Sequence, residues 1–70
     1  MRNFCICNSE RWKVIVWGNG VAIEIHSKAL DKEIFAQGDN ATEIITEYEA
    51  LENHMSDDEC WQRIWGEYYA

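Results

Sequence analysis

The side chains best suited to chemistry are three cysteines and two histidines: Cys5, Cys7, Cys60, His26 and His54. Thiolates and imidazoles hold zinc in tetrahedral sets, and the three cysteines with either histidine would complete a Cys3His site. The spacing argues against it. Structural zinc sites pair close-spaced ligands, whereas Cys5 and Cys7 form a C-x-C step and Cys60 lies on a distant element. A cysteine nucleophile needs a thiol pKa depressed by a cation or a helix N-terminus. Cys60 stands near an expected helix start, but Asp57, Asp58 and Glu59 precede it, and their charge opposes thiolate formation. Lone cysteines ordinarily pack as small hydrophobes. No nucleophile, base and orienting group can be assembled, so the chain is expected to be non-enzymatic, with no metal or cofactor.

The other polar resource is carboxylate. The net charge is −7 over 70 residues, and it is segregated. Through Gly38, five basic residues face four acidic ones; from Asp39 onward, nine acidic residues face Arg63 alone. Such asymmetry marks a specialised electrostatic surface. It disfavours direct binding to nucleic acid, whose phosphates demand a basic footprint, and attraction to anionic membranes. Solubility asks only for a modest net charge with mixed signs, and segregated charge costs stability through self-repulsion. The pattern therefore points to a surface that docks on a basic partner.

The elements that position these groups follow from periodicity. Trp12 to Ile25 consists of two alternating β-branched runs around Asn19-Gly20, the dipeptide suited to a type I′ turn. Pairing outward from that turn sets Val16 opposite Ile23 and Val14 opposite Ile25. One face then holds these four residues, and the other holds Lys13, Ile15, Trp17, Ala22, Glu24 and His26. Asn3 to Cys7 reads as a first strand, with Phe4 and Ile6 on one side and Cys5 and Cys7 on the other. Asn8 to Glu10 forms the turn after it. The second hairpin strand runs to about Ser27, Lys28 to Asp31 connects, and Lys32 to Gln37 is the last strand, Ile34 and Ala36 sharing a face.

After Gly38-Asp39 the period changes. Ala41, Ile44, Ile45, Tyr48, Leu51 and Met55 form an amphipathic helical stripe, with Asn40 and Glu43 spaced as a capping box. Ser56 and Glu59 repeat that signature, so a second helix is expected from Asp57, with the stripe Cys60, Trp61, Ile64, Trp65 and Tyr68. Asp57, Asp58 and Glu59 suit the positive end of its dipole. The chain is thus expected to be one α+β domain over residues 1–70. A meander of three or four antiparallel strands (1–38) precedes an acidic pair of amphipathic helices (39–70) packed on one face. With no leader pattern and no apolar run of membrane-spanning length, a cytoplasmic location is expected.

On the first helix Glu43 and Glu47 lie along one flank and Glu49 and Glu52 along the other. Residues four apart stand about 5–6 Å apart, comparable with successive phosphates on one nucleic-acid strand. Trp17, on the sheet face away from Val14 and Val16, is a candidate for an exposed aromatic contact. The small size, the meander followed by two acidic helices and the lack of a catalytic set together resemble the small phage-encoded inhibitors of bacterial defence, the anti-CRISPR proteins and DNA mimics. The likeness is architectural and matches no motif residue by residue. It implies a stoichiometric inhibitor that occupies a nucleic-acid-binding site on a host effector complex in the host cytoplasm. Glu43, Glu47, Glu49, Glu52, Asp57, Asp58 and Glu59 would make the contacts. The alternative is a protein-interaction module that binds through Trp17, Ile15 and their neighbours on the sheet without mimicry.

Overall fold

The β-branched alternation resolves into paired strands in a computed structural model that describes residues 3–18 and 21–69. The order is β1 (Asn3–Asn8), β2 (Trp12–Trp17), β3 (Ala22–Ser27), β4 (Lys32–Gln37), α1 (Asp39–Leu51) and α2 (Asp57–Tyr68). The strands form one antiparallel sheet in the order β1-β2-β3-β4, the arrangement consecutive short connections favour. In the central hairpin Val14 faces Ile25, Val16 faces Ile23 and Trp17 faces Ala22, as the alternation requires. The expected Asn19-Gly20 turn lies outside the described residues.

Register sorts the side chains onto two faces. Val14, Ile23 and Ile25 pack against Ala41 and Ile44 of α1 and Trp61, Ile64 and Trp65 of α2, all buried. Ile34, Ala36, Val16, Ile45, Tyr48 and Leu51 close the margins of this core. Both helices therefore cover one face, and α2 supplies the largest fully buried side chain, Trp61. No helix among the described residues is long and apolar enough to cross a membrane.

Strict alternation fails in β1. Cys5 pairs with Ile15 but Cys7 pairs with Val14, so a β-bulge falls between them. The additional residue turns Cys7 into the core, where it is 8% exposed, and leaves Cys5 on the open face. The expected grouping of Cys5 with Cys7 is thereby corrected.

α1 begins one residue before the expected cap. Its N-cap is Gly38, with φ 61° and ψ −130°, and no side chain caps it. A positive φ is the conformation glycine adopts without strain, and it lets the chain leave β4 and cross onto the helical layer. Thr42 closes the first turn, its N–H and Oγ1 both donating to the Gly38 carbonyl at 3.1 and 3.2 Å. Asn40 and Glu43 thus make no capping box. The Ser56 cap of α2 forms as the spacing indicates, its Oγ accepting from the Glu59 N–H. Tyr68, expected in the buried stripe, is 36% exposed.

Candidate functional site

The helical layer carries the candidate carboxylates, and α1 divides them into two flanks. On one flank Glu43 and Glu47 meet Glu67 and Tyr68 of α2, since all three carboxylates push the Tyr68 phenol up after burial has done so. Glu47 is the least solvated of them. Burial, then the adjacent Glu67 carboxylate, raise its carboxyl above the usual range, and Arg63 only partly offsets this. Its Oε2 is closed off from solvent without a hydrogen-bond partner among the described residues.

The other flank faces β1. Glu49 and Glu52 border a shallow groove floored by Phe4, Ile6, Val16 and Ile45. Phe4 and Ile6 remain 50% and 37% exposed there, because the bulged edge strand extends past the end of the core. Tyr48 stands between this groove and α2. Its ring stacks on Trp61 at 4.5 Å with an 11° interplanar angle, and its hydroxyl donates to Asp57 at 3.0 Å.

Asp57, Asp58 and Glu59 occupy the first turn of α2, where unpaired N–H groups and the helix dipole favour negative charge. Two of them also serve the fold. Asp57 accepts from Tyr48, and the half-buried Asp58 accepts from Ser9 Oγ at 2.8 Å. Ser9 Oγ in turn accepts from the Trp12 N–H at 3.1 Å, which ties the β1–β2 turn to α2. Sequence offered no signal for this link, because its ends lie far apart in the chain. Glu59 is exposed, beside Gln62 and Arg63.

The structure thus brings Glu43 and Glu47 together with Glu67, sets Glu52 and Asp57 about the Tyr48 phenol, and leaves Glu49 beside Glu52 at the groove against β1. It places all seven helical candidates in one layer, on different sides of α1. Among the described residues the only ion pairs lie elsewhere: His26 on the sheet is 3.8 Å from Asp31 and 3.9 Å from Glu33. No lysine or arginine neutralises a helical carboxylate within ion-pair distance among these residues.

Trp17 lies on the sheet face the helices leave open, alongside Ile15 and Cys5 by register. It is half-buried, and with Val21, Ala22, Phe35 and Gln37 it lines a depression of about 530 Å³. Phe35, 53% exposed, was not among the expected contacts. Alternation with Ile34 and Ala36 was the signal that could have placed it beside Trp17.

The thiols and imidazoles do not converge. Cys60 is buried, and burial followed by the Asp57, Glu52 and Glu59 charges pushes its thiol up, which lowers its nucleophilicity. Cys7 is raised in the same way, by burial and then Asp57. Cys5 donates to the Cys7 carbonyl at 3.3 Å, and His54 is exposed beyond α1. No group of three or more metal-ligating side chains is gathered among the described residues. Set against known protein families, characterised proteins and solved structures, the chain matches none of them.

Proposed function

We propose that this chain is a non-enzymatic, stoichiometric inhibitor whose acidic helical layer occupies a nucleic-acid-binding surface on a host effector protein, in the manner of the phage-encoded inhibitors it resembles. One observation carries the reading: the helical carboxylates stand in a single layer, and among the described residues no lysine or arginine lies within ion-pair distance of any of them. Desolvating a carboxylate against a cationic cleft is favourable only if its charge has not already been spent internally. Glu43, Glu49, Glu52 and Glu59 are exposed and available for such contacts. Asp57 is exposed as well but is engaged by the Tyr48 hydroxyl, and Glu47 and Asp58 contribute field from less solvated positions.

The test is capture of basic nucleic-acid-binding proteins from bacterial lysate on the immobilised chain. Retention should fall steeply with salt, since exposed charges are screened over about 10 Å at 0.1 M. A double-stranded oligonucleotide should displace the captured protein. Neutralising Glu43, Glu49, Glu52 and Glu59 to glutamine together should abolish capture while circular dichroism stays unchanged. Undiminished capture by that variant would reject the proposal.

A second reading is favoured by the depression between Trp17 and Phe35 on the uncovered sheet face. There the chain would act as an interaction module, with the aromatic face as its contact. Trp17→Glu separates the two, because only the second reading predicts that it abolishes capture.

A further inference from the structure

The sheet ends in two unlike edges. β1 is interrupted by its bulge, a device that blunts edge pairing. β4 has no such interruption: its register with β3 is continuous from Ser27–Lys32 to Ala22–Gln37. Nor does any proline or inward-pointing charge protect its middle.

The free backbone groups of β4 can be assigned. The Gly38 N–H donates to the Val21 carbonyl at 2.9 Å, which makes that pair a hydrogen-bonded one. Hydrogen-bonded and non-bonded pairs alternate along an antiparallel ladder. Ala36 and Ile34 therefore direct their N–H and C=O groups toward β3, while Glu33, Phe35 and Gln37 direct theirs outward. The side chains of those three lie on the open face of the sheet.

We infer that β4 pairs antiparallel with β4 of a second copy of this chain, about a twofold axis through Phe35. This register alone uses all three outward residues of both strands. Phe35 faces its counterpart, Glu33 faces Gln37 of the second copy, and Gln37 faces its Glu33. Each hydrogen-bonded pair exchanges two bonds, so about six form across the junction. Sliding the strands one step either way leaves outward groups unpaired, and one of the two slides sets Phe35 against Glu33. A longer slide in that direction sets Glu33 against Glu33. The twofold register opposes no like charges within the ladder. It also joins the two half-exposed phenylalanines as a cross-strand aromatic pair, and such pairs stabilise sheets. The Trp17–Phe35 depressions of the two copies then flank the junction on one continuous eight-stranded face.

Edge pairing of two six-residue strands falls at the low end of specific interfaces, below ~1,200 Å², so the dimer is weak and reversible. Sedimentation equilibrium up to about 2 mM should show reversible dimer. Association should strengthen with salt, because the two copies repel one another, whereas the proposed partner binding weakens with salt. The two ideas therefore fail separately. Phe35→Lys sets like charges at the axis and should weaken association about tenfold or more.

Cross-linking gives a second measurement in a Cys5→Ser background, since Cys7 and Cys60 are buried. Glu33→Cys mixed with Gln37→Cys should yield covalent dimer with a short bismaleimide, and neither variant alone should match that yield. A monomeric mass throughout, an unchanged Kd for Phe35→Lys, or equal yields from single and mixed variants would overturn the inference.

Discussion

Replacing Tyr48 by phenylalanine should remove one contribution to the loss of stability at alkaline pH. The hydroxyl donates to Asp57 and sits half-buried against Trp61. Burial first, then Asp57 and Glu52, push the phenol up to about 12 from an ordinary 10.0. In the unfolded chain it ionises near pH 10. The folded protein thus keeps the proton longer. The resulting stability is fully present below about pH 10 and lost as pH rises through about 12.

A gap of about two units, at 1.36 kcal/mol each, sets a ceiling of about 2.7 kcal/mol. The phenol is only half-buried and water screens its neighbours, so about 1 kcal/mol is the working figure. In a domain of this size that moves Tm by about 4–8 °C. Phenylalanine preserves the stack on Trp61 but loses the hydrogen bond, at a cost of about 0.5–1.5 kcal/mol at neutral pH. Thermal unfolding followed by circular dichroism from neutral pH to about pH 12 checks this. The wild type should begin above the variant and converge on it as pH rises through the phenol range. Lysine and the remaining tyrosines titrate in both proteins and cancel in the difference. A Tm gap that stays constant with pH would refute the argument.

Glu47→Gln should raise Tm by a few degrees at neutral pH, because burial and Glu67 disfavour the charged carboxylate that glutamine removes. The folded carboxyl is raised, so the wild type loses stability as pH climbs through it, and the advantage of the variant should vanish in thermal scans near pH 4. Ser9→Ala removes a donor to Asp58 and an acceptor for the Trp12 N–H. It should cost about 1–2 kcal/mol in urea titrations, with the denaturant slope unchanged. A maleimide reagent should label Cys5 alone in the native protein, and Cys7 and Cys60 only after unfolding; labelling of Cys7 in native buffer would count against the bulge.

How much of this was legible in the sequence depends on the range of the forces involved. Hairpin register was readable because a one-residue slip would expose Val14, Val16, Ile23 and Ile25 together. The Ser56 cap was readable because it acts over three residues. The bulge was not, since an inserted residue leaves composition and alternation nearly unchanged while reversing the direction of Cys7. Asn40 looked like a cap by type, but the positive φ of Gly38 let the helix begin earlier. Among the candidate contacts, the two flanks of α1 followed from helical spacing. That Asp57 and Asp58 are held by Tyr48 and Ser9 depends on tertiary packing that no local pattern encodes.

The carboxylates also differ in what the fold gains from them, and this difference bears on function. Asp57, Asp58 and Glu59 complement the N-terminus of α2, and the first two accept side-chain hydrogen bonds, so each has a stabilising role without any partner. Glu43, Glu47 and Glu67 have no such return. They crowd Tyr68, burial and Glu67 disfavour the ionised form of Glu47, and one carboxylate oxygen of Glu47 is enclosed without a hydrogen-bond partner among the described residues. Like charges at helical spacing of four residues destabilise an isolated helix, and nothing in the described chain offsets this beyond the weak influence of Arg63. A small domain retains such an arrangement at the expense of its own stability, and a cationic partner would relieve the repulsion on binding. Under the proposed function, the flank built from Glu43, Glu47 and Glu67 is therefore where binding of a cationic partner would gain most from charge that folding leaves uncompensated.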